Sequence, residues 1–548
     1  MTPDPLIRRL RLPGTLIFII AAGAAFRLYP YCAGPSLIVD DAMLALNIAT
    51  RSFTGLLHPL AFEQTAPPGF LWAEKLLTLL AGVNEYALRA LPLAAAIALP
   101  FFIWRLARRL VGEVPALFAA ALAAASPVIL QYSVTAKPYV VDALVTVILL
   151  DRGLRVQAAP EDRTAWRSFG LAGAAGLLFS LPAVFVLAGT FAVLATSRHV
   201  RATPARRYFA GWGIALGAAF CAVYFGVTRA EASPYMRVFW AARFLPPASW
   251  VHPADAWNVV KRLPAGTLRV TRGLDEPTAL FWLLAVCGAW RFALQARARA
   301  LLVVAPLVVV LGAAAVSLYP ISPRLDLFVA PVWFLLFAGA LDWSAGWPRS
   351  GRIAVTVVAG LVVAAVALQE RTLDPWGPAL GPAAATFARE AGPTEPVYVF
   401  ANATPAWTFY TTDWRHPDLV RVAAIVATQG AESDAFHNRA SRGRAVSDTE
   451  GAGLVIRSGG RAELLGLATG MQYREGALFS RPAPDSGWAK READRIRRAA
   501  APGIWVVMAP MGLPGVSDLE REILRAGGRE TRRWTGHLVT LSRYEFGP

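Results

Sequence analysis

Two adjacent carboxylates, Asp40 and Asp41, stand in the stretch Ser36-Leu-Ile-Val-Asp-Asp-Ala-Met-Leu-Ala-Leu-Asn47. The residues after them have helical periodicity, so both acids fall at a helix N-terminus. Asp is favoured there as a cap and by the helix dipole. The same pair can also do chemistry. Two neighbouring carboxylates in a partly dry cleft repel each other, which raises the proton affinity of one and makes it a general base. A second group follows in His58-Pro-Leu-Ala-Phe-Glu63-Gln64-Thr65-Ala-Pro67-Pro68-Gly69-Phe70-Leu-Trp72. Two prolines and a glycine force an irregular turn, with Glu63 and Gln64 just before the next helix.

A third group is Gln131-Tyr132-Ser-Val-Thr-Ala-Lys137-Pro138-Tyr139-Val-Val-Asp142. Pro138 suits a helix start, and Asp142, about one turn in, is placed to pair with Lys137. A lysine here either snorkels to the surface or binds phosphate. The fourth is Leu318-Tyr319-Pro320-Ile-Ser-Pro323-Arg324-Leu-Asp326, where Arg324 is an interfacial anchor or a second anion ligand. None of the four is specific alone. Together they offer carboxylates, one lysine and one arginine, the parts of an acid/base site that also holds phosphate.

The elements that must position these groups are membrane helices. The 548 residues are 55% hydrophobic and only 17% charged, with a mean hydropathy of +0.44. Soluble domains carry about 25% charged residues, so an ordinary soluble enzyme is excluded. The formal charge of +17 would point to nucleic acid in a soluble chain. Here the basic residues read as topology signals beside spans, and no nucleic-acid partner is expected. Cys32, Cys221 and Cys287 form no disulfide framework. The N-terminal basic residues precede an apolar run without a small-residue cleavage site, which reads as a first span.

Spans of about 20 apolar residues fall at 12–31, 86–107, 115–130, 139–150, 169–181, 182–195, 209–227, 280–296, 301–318, 327–341 and 353–368. That gives about eleven, provided Pro182 separates two of them. The arginine clusters at 105–109, 152–155, 198–207, 291–299 and 349–352 then share the cytoplasmic side with the N-terminus. The expectation is a polytopic α-helical membrane domain over residues 1–369, with outer loops at 32–85 and 229–278. An extracytoplasmic α/β domain follows over 370–548. In the first loop, 69–80 reads as an interfacial amphipathic helix with Lys75 reaching water. In the C-terminal part, 396–400, 503–508 and 538–544 read as strands. Ser517 with Glu520 reads as a capping box opening a helix that ends at Gly527-Gly528.

These segments resemble the GT-C superfamily of membrane glycosyltransferases, and within it family 39, the branch of protein O-mannosyltransferases and lipid A aminoarabinose transferases. Asp40-Asp41-Ala42 stands where such proteins have an acidic pair after the first span. Gln64-Thr-Ala-Pro-Pro-Gly-Phe-Leu-Trp-Ala-Glu-Lys75, Tyr132–Tyr139 and Tyr319-Pro…Arg324 also look like that branch. The resemblance implies a GT-C fold and inverting transfer of a sugar from a polyprenyl-phosphate donor to a hydroxyl of an extracytoplasmic glycolipid, polysaccharide or protein. It implies Asp40 as base, Asp41 as its orienting partner, and Lys137 and Arg324 as ligands of the departing phosphate. Glu63, Gln64, Tyr132, Tyr139 and Asp142 are expected to bind substrate, in a multi-pass protein of the bacterial inner membrane.

The chain departs from the branch in two places: the second acid is Asp41 where Glu is usual, and Gln64 stands where the aminoarabinose transferase has Lys. Some relatives hold a divalent metal, for which Glu63 and His252 are the candidates here. Two ligands without a spacing pattern do not make a site, so no cofactor is expected. The competing class is a transporter or flippase of a lipid-linked substrate. Transporters place ionisable groups near the midplane, in inverted repeats. This chain clusters them at one edge and shows no repeat.

Overall fold

The structure is a computed structural model. It describes residues 13–202, 205–229, 240–245, 257, 260, 263, 278–369, 377–416, 455–458, 461–465, 487–500, 503–509 and 514–547. Its helices are α1 (Gly14–Ala33), α2 (Val39–Thr50), α3 (Pro68–Ala81), α4 (Glu85–Ala107), α5 (Glu113–Ala125), α6 (Pro127–Ser133), α7 (Tyr139–Ala158), α8 (Arg163–Phe179), α9 (Ala183–Thr196), the short α10 (Arg198–Arg201) and α11 (Ala205–Val223). Then come α12 (Thr278–Gln295), α13 (Arg297–Ala315), α14 (Ala330–Asp342), α15 (Arg349–Gln369), α16 (Leu380–Glu390), α17 (Thr404–Thr411), α18 (Trp488–Ala499) and α19 (Pro514–Arg525). The chain divides into two compact units. The first contains Met1–Ala33, Arg89–Val223 and Arg243–Leu373, and the second Gly34–Leu88, Tyr224–Ala242 and Asp374–Pro548.

The first unit is helical, and each expected apolar segment forms a helix. Among the described residues, six stretches are long and apolar enough to cross a bilayer: Gly14–Ala33, Glu85–Ala107, Ala205–Thr228, Arg297–Ala315, Asp326–Gly346 and Arg349–Leu368. The pair α5 and α6, bent by 51°, makes up to seven. By length and composition alone the described helices do not reach the expected eleven. The reason is in the sequence: α7 carries Asp142, Asp151, Arg152 and Arg155, and α8 has only 17 residues. The helix does break at Pro182, between α8 and α9.

The bend after α5 follows from Pro127, which has no N–H to offer the preceding turn. Arg27 of α1, fully buried, supplies donors instead, reaching the carbonyls of Ala123 and Ala124 at 2.9 and 2.8 Å. Ser126 caps α6 by accepting from Ile129 N. A buried arginine in a membrane helix thus finds acceptors in a proline-made gap.

The second unit is built on a sheet of β1 (Val397–Val399), β2 (Val455–Ser458), β3 (Arg461–Leu465), β4 (Ile504–Met508), β5 (Gly528–Gly536) and β6 (Val539–Phe546). Their order among the described residues is β2-β3-β1-β4-β6-β5. β1 pairs parallel with β3 and β4, and the outer pairings are antiparallel. Ile496 of α18 and Leu519 and Ile523 of α19 pack with Tyr398, Ile504 and Val506 into one apolar core. Other aromatics stack through Phe387 of α16 and Trp407 of α17 onto Trp505. Covered on both faces, β1 and β4 are buried throughout.

One local expectation is corrected. α19 starts at Pro514, so Ser517 lies inside its first turn and is not the cap. Lys75 is half-buried, and its ammonium donates to Ala49 O of α2 at 3.0 Å, satisfying a carbonyl in the last turn of that helix.

Candidate active site

In the second unit, the acidic pair occupies the first turn of α2. Ile38 is the N-cap and makes no side-chain cap bond, so capping is not the job of either aspartate. Asp41 is 2% exposed, while Asp40 is half-buried. Asp40 therefore keeps contact with solvent and Asp41 does not. Gln64 ties the second motif to the first: its Nε2 donates to Asp40 Oδ1 at 3.2 Å and to Phe62 O at 3.1 Å. A neutral amide orients a carboxylate without supplying a competing proton or a full counter-charge.

The turn that presents Gln64 is strained. Phe62 and Glu63 both adopt left-handed backbone, with φ of 63° and 53°. A bulky residue there costs about 1–3 kcal/mol and persists only where its surroundings over-determine it. The fastening is Asn47, fully buried on α2. Its Nδ2 donates to Ala61 O at 3.2 Å and its Oδ1 accepts from Ala61 N at 2.9 Å. The hydrogen bonds of one carboxamide thus lock the strained turn onto the helix that carries Asp40.

The same helix is fastened at its other approach. Leu37 N donates to the Tyr410 hydroxyl of α17 at 2.8 Å, and Gly381 N donates to Ser36 Oγ at 3.0 Å. α2 itself packs against α17. The acidic pair is therefore held between the strained turn and the C-terminal region.

In the first unit, Tyr132 and Tyr139 meet edge to face with ring centroids 5.1 Å apart. Lys137, between them in sequence, is 6% exposed. The expected Lys137–Asp142 pair does not form among the described residues. Lys137 lies in the bend before Pro138, the N-cap of α7, outside the helix whose spacing would have aligned the two. Asp142 instead lies beside Ser180, at the break between α8 and α9, and its Oδ1 has no hydrogen-bond partner. The turn at Asp326–Val329 packs against α7. Tyr319 there donates to Leu325 O at 2.9 Å and lies within Coulombic reach of Asp142, Asp326 and Tyr139. Arg324 is half-buried in the same turn. Asp326, also buried, has Arg243 within Coulombic reach.

Sequence reasoning missed Asn47, Tyr410, Ser180 and Glu74. The first three act through contacts remote in sequence, which no periodicity reveals. Glu74 stood in plain view on the apolar stripe Phe70-Leu71-Glu74-Thr78 of α3. It is fully buried, neither of its oxygens has a hydrogen-bond partner, and burial pushes its carboxyl well above the usual carboxylate range. Among the described residues, no three His, Cys, Asp or Glu side chains converge as a metal site, and His252 lies outside those residues.

A sequence model of the dolichyl-phosphate-mannose-protein mannosyltransferase family matches residues 65–225. No curated protein matches the sequence. Among solved structures, ArnT from Cupriavidus metallidurans in the apo state aligns with a TM-score of 0.53 at 15% identity, covering 98% of this chain and 99% of that one. ArnT from the same organism bound to undecaprenyl phosphate aligns with a TM-score of 0.50 at 14% identity, over 98% and 99%. An oligosaccharyltransferase from Archaeoglobus fulgidus, in complex with Zn and sulfate, aligns over 72% of this chain and 61% of that one, with a TM-score of 0.49 at 11% identity.

Proposed function

From a chain that has the GT-C fold and resembles the family 39 glycosyltransferases, we propose an inverting glycosyltransferase. It moves a sugar from a polyprenyl-phosphate donor to a hydroxyl of an extracytoplasmic acceptor. The observation that carries this reading is the Asp40–Gln64 contact, made by a strained turn locked to α2. Strain of this kind concentrates where a side chain must be held in one orientation. The matched stretch, 65–225, includes Lys137, and the ArnT neighbour was solved with undecaprenyl phosphate.

In the proposed step, Asp40 accepts the proton of the acceptor hydroxyl. The oxygen attacks the anomeric carbon as the bond from that carbon to the phosphate oxygen breaks, and its electron pair leaves with the polyprenyl phosphate. Inversion follows from the single displacement. Asp41 and Gln64 orient Asp40, and Lys137 and Arg324 stabilise the departing phosphate, where negative charge grows in the transition state. Glu63, Tyr132, Tyr139 and Asp142 contact the sugar. A phosphate leaving group at neutral pH needs no general acid. The protein sits in the bacterial inner membrane with its N-terminus inside and its chemistry at the outer face.

The test is transfer from a polyprenyl-phosphate sugar to an envelope extract by the purified chain in liposomes. Lys137→Met should raise the apparent donor KM by about tenfold or more, the scale of one lost charge-assisted contact. An unchanged donor KM would assign Lys137 to packing, and no sugar transfer from any polyprenyl-phosphate donor would remove the reading.

A further inference from the structure

The far end of α7 carries a cluster that the proposed chemistry leaves unused. Asp151 is 5% exposed and surrounded by guanidinium groups. Arg109 Nε lies 2.6 Å from its Oδ1 and Arg105 Nη2 3.2 Å from its Oδ2. Arg155 and Arg152 stand 3.6 and 3.8 Å from Oδ2, too far for hydrogen bonds. On the adjoining turn, Arg108 pairs with Glu113 at 2.9 Å. Five guanidinium groups thus face two carboxylates, a surplus of three positive charges.

One carboxylate cannot use so many donors. Arg155 Nε is buried with no hydrogen-bond partner, an expensive arrangement unless a further acceptor arrives. Crowded like charges also repel, and a second anion among them would relieve both costs. The four guanidinium side chains around Asp151 are 23–29% exposed, so an anion can reach them. Their planar forks match the oxygens of a phosphate.

Position selects the kind of phosphate. Asp151 is nine residues beyond Asp142 on α7 and Arg155 thirteen, rises of roughly 14 and 20 Å. Arg105 lies in the last turn of α4 and Arg109 just beyond it, and α4 is long and apolar enough to cross a bilayer. The cluster therefore sits at the depth of lipid headgroups on the face where α4 ends. On the sidedness proposed above, that face is the cytoplasmic leaflet, which is rich in anionic lipid.

We propose that Arg105, Arg109, Arg152 and Arg155, gathered by Asp151, bind the headgroup phosphate of an anionic phospholipid in the cytoplasmic leaflet. Asp151 is the positioning residue. It holds Arg105 and Arg109 and leaves Arg152 and Arg155 for the lipid.

The test is native mass spectrometry of the full chain in detergent. Phosphatidylglycerol or phosphatidylcholine of the same acyl chains is added, and sugar transfer plays no part in the readout. The wild-type chain should retain phosphatidylglycerol about tenfold over phosphatidylcholine, a difference of about 1.4 kcal/mol. Arg152→Gln with Arg155→Gln should bring the two lipids level. Equal retention by the wild type, or unchanged preference in the double variant, overturns the proposal and leaves interfacial anchoring as the role of the cluster. If the double variant does not fold, the wild-type chain decides by competition. Glycerol 1-phosphate at millimolar concentration should leave the bound phosphatidylglycerol in place. Displacement would mean a soluble phosphate site and would overturn the lipid assignment.

Discussion

Two aspartates on one helix have opposite company. Asp151 has four arginines around it, and two of them approach within 3.2 Å. Asp142, nine residues earlier, is nearly as buried, has the Ser180 hydroxyl as its neighbour, and keeps one oxygen without any partner. A carboxylate used for structure is saturated with counter-charge, because leaving it bare in a dry interior is expensive. A carboxylate left short of partners is one that another molecule can complete. The same contrast separates Asp342, paired with Arg291 at 2.9 Å, from Asp326, whose Oδ1 is unpartnered. Asp342 closes α14 and Asp151 lies in the second half of α7, whereas both short ones lie near helix starts.

Substitution of the two aspartates should give opposite results. Asp151→Asn strips four guanidinium groups of their shared counter-charge. About 3 kcal/mol of stability should go, the low end for a broken buried pair because the arginines keep some water. Asp142→Asn removes a carboxylate with an orphaned oxygen, so melting should be unchanged or slightly higher while the donor KM rises. Equal destabilisation by both, read from thermal melts in one detergent, would break the comparison.

Glu74 extends the contrast to the second unit. Its folded-state pKa is raised by burial above the ordinary 4.5. The unfolded chain therefore releases this proton first as pH rises. The contribution of Glu74 is full below pH 4.5 and falls by about 1.4 kcal/mol per unit above it, until the folded-state pKa is reached. Glu74→Gln should flatten that decline, raising the melting temperature more at pH 8 than at pH 5. Equal shifts at both pH values would mean Glu74 is ionised in the fold.

The smallest change is Tyr410→Phe. It takes the acceptor from the buried Leu37 N–H at a cost of about 1–2 kcal/mol. If α17 positions the acidic helix, kcat should fall while the KM for donor stays put. A shift in KM alone would assign Tyr410 to substrate binding.

Much of this architecture is legible in the chain because a bilayer imposes its own ruler. The Pro182 break follows from proline chemistry, and β4, IWVVM, from its unbroken apolar run. The edge strand β5, GRETRRWTG, is half-exposed and mostly polar, so no apolar run marks it in the sequence. Of the site, residue types and local spacing revealed the acidic pair and the prolyl turn. The Asn47–Ala61 fastening and the Ser36 and Tyr410 anchors join segments 14 to 373 residues apart, and only the folded chain brings them together. Glu74 is missed because a carboxylate on an apolar stripe gives no local sign of its burial until the fold is known.

The central claim is that Asp40 takes the proton of the acceptor hydroxyl. The direct measurement is single-turnover sugar transfer by Asp40→Asn beside the wild type, at saturating donor, with a thermal melt of each. The amide keeps the size and the Gln64 neighbour and loses only the basic oxygen. The account predicts a rate lower by about a hundred- to ten-thousand-fold with the melt unchanged. Turnover at the wild-type rate would contradict it.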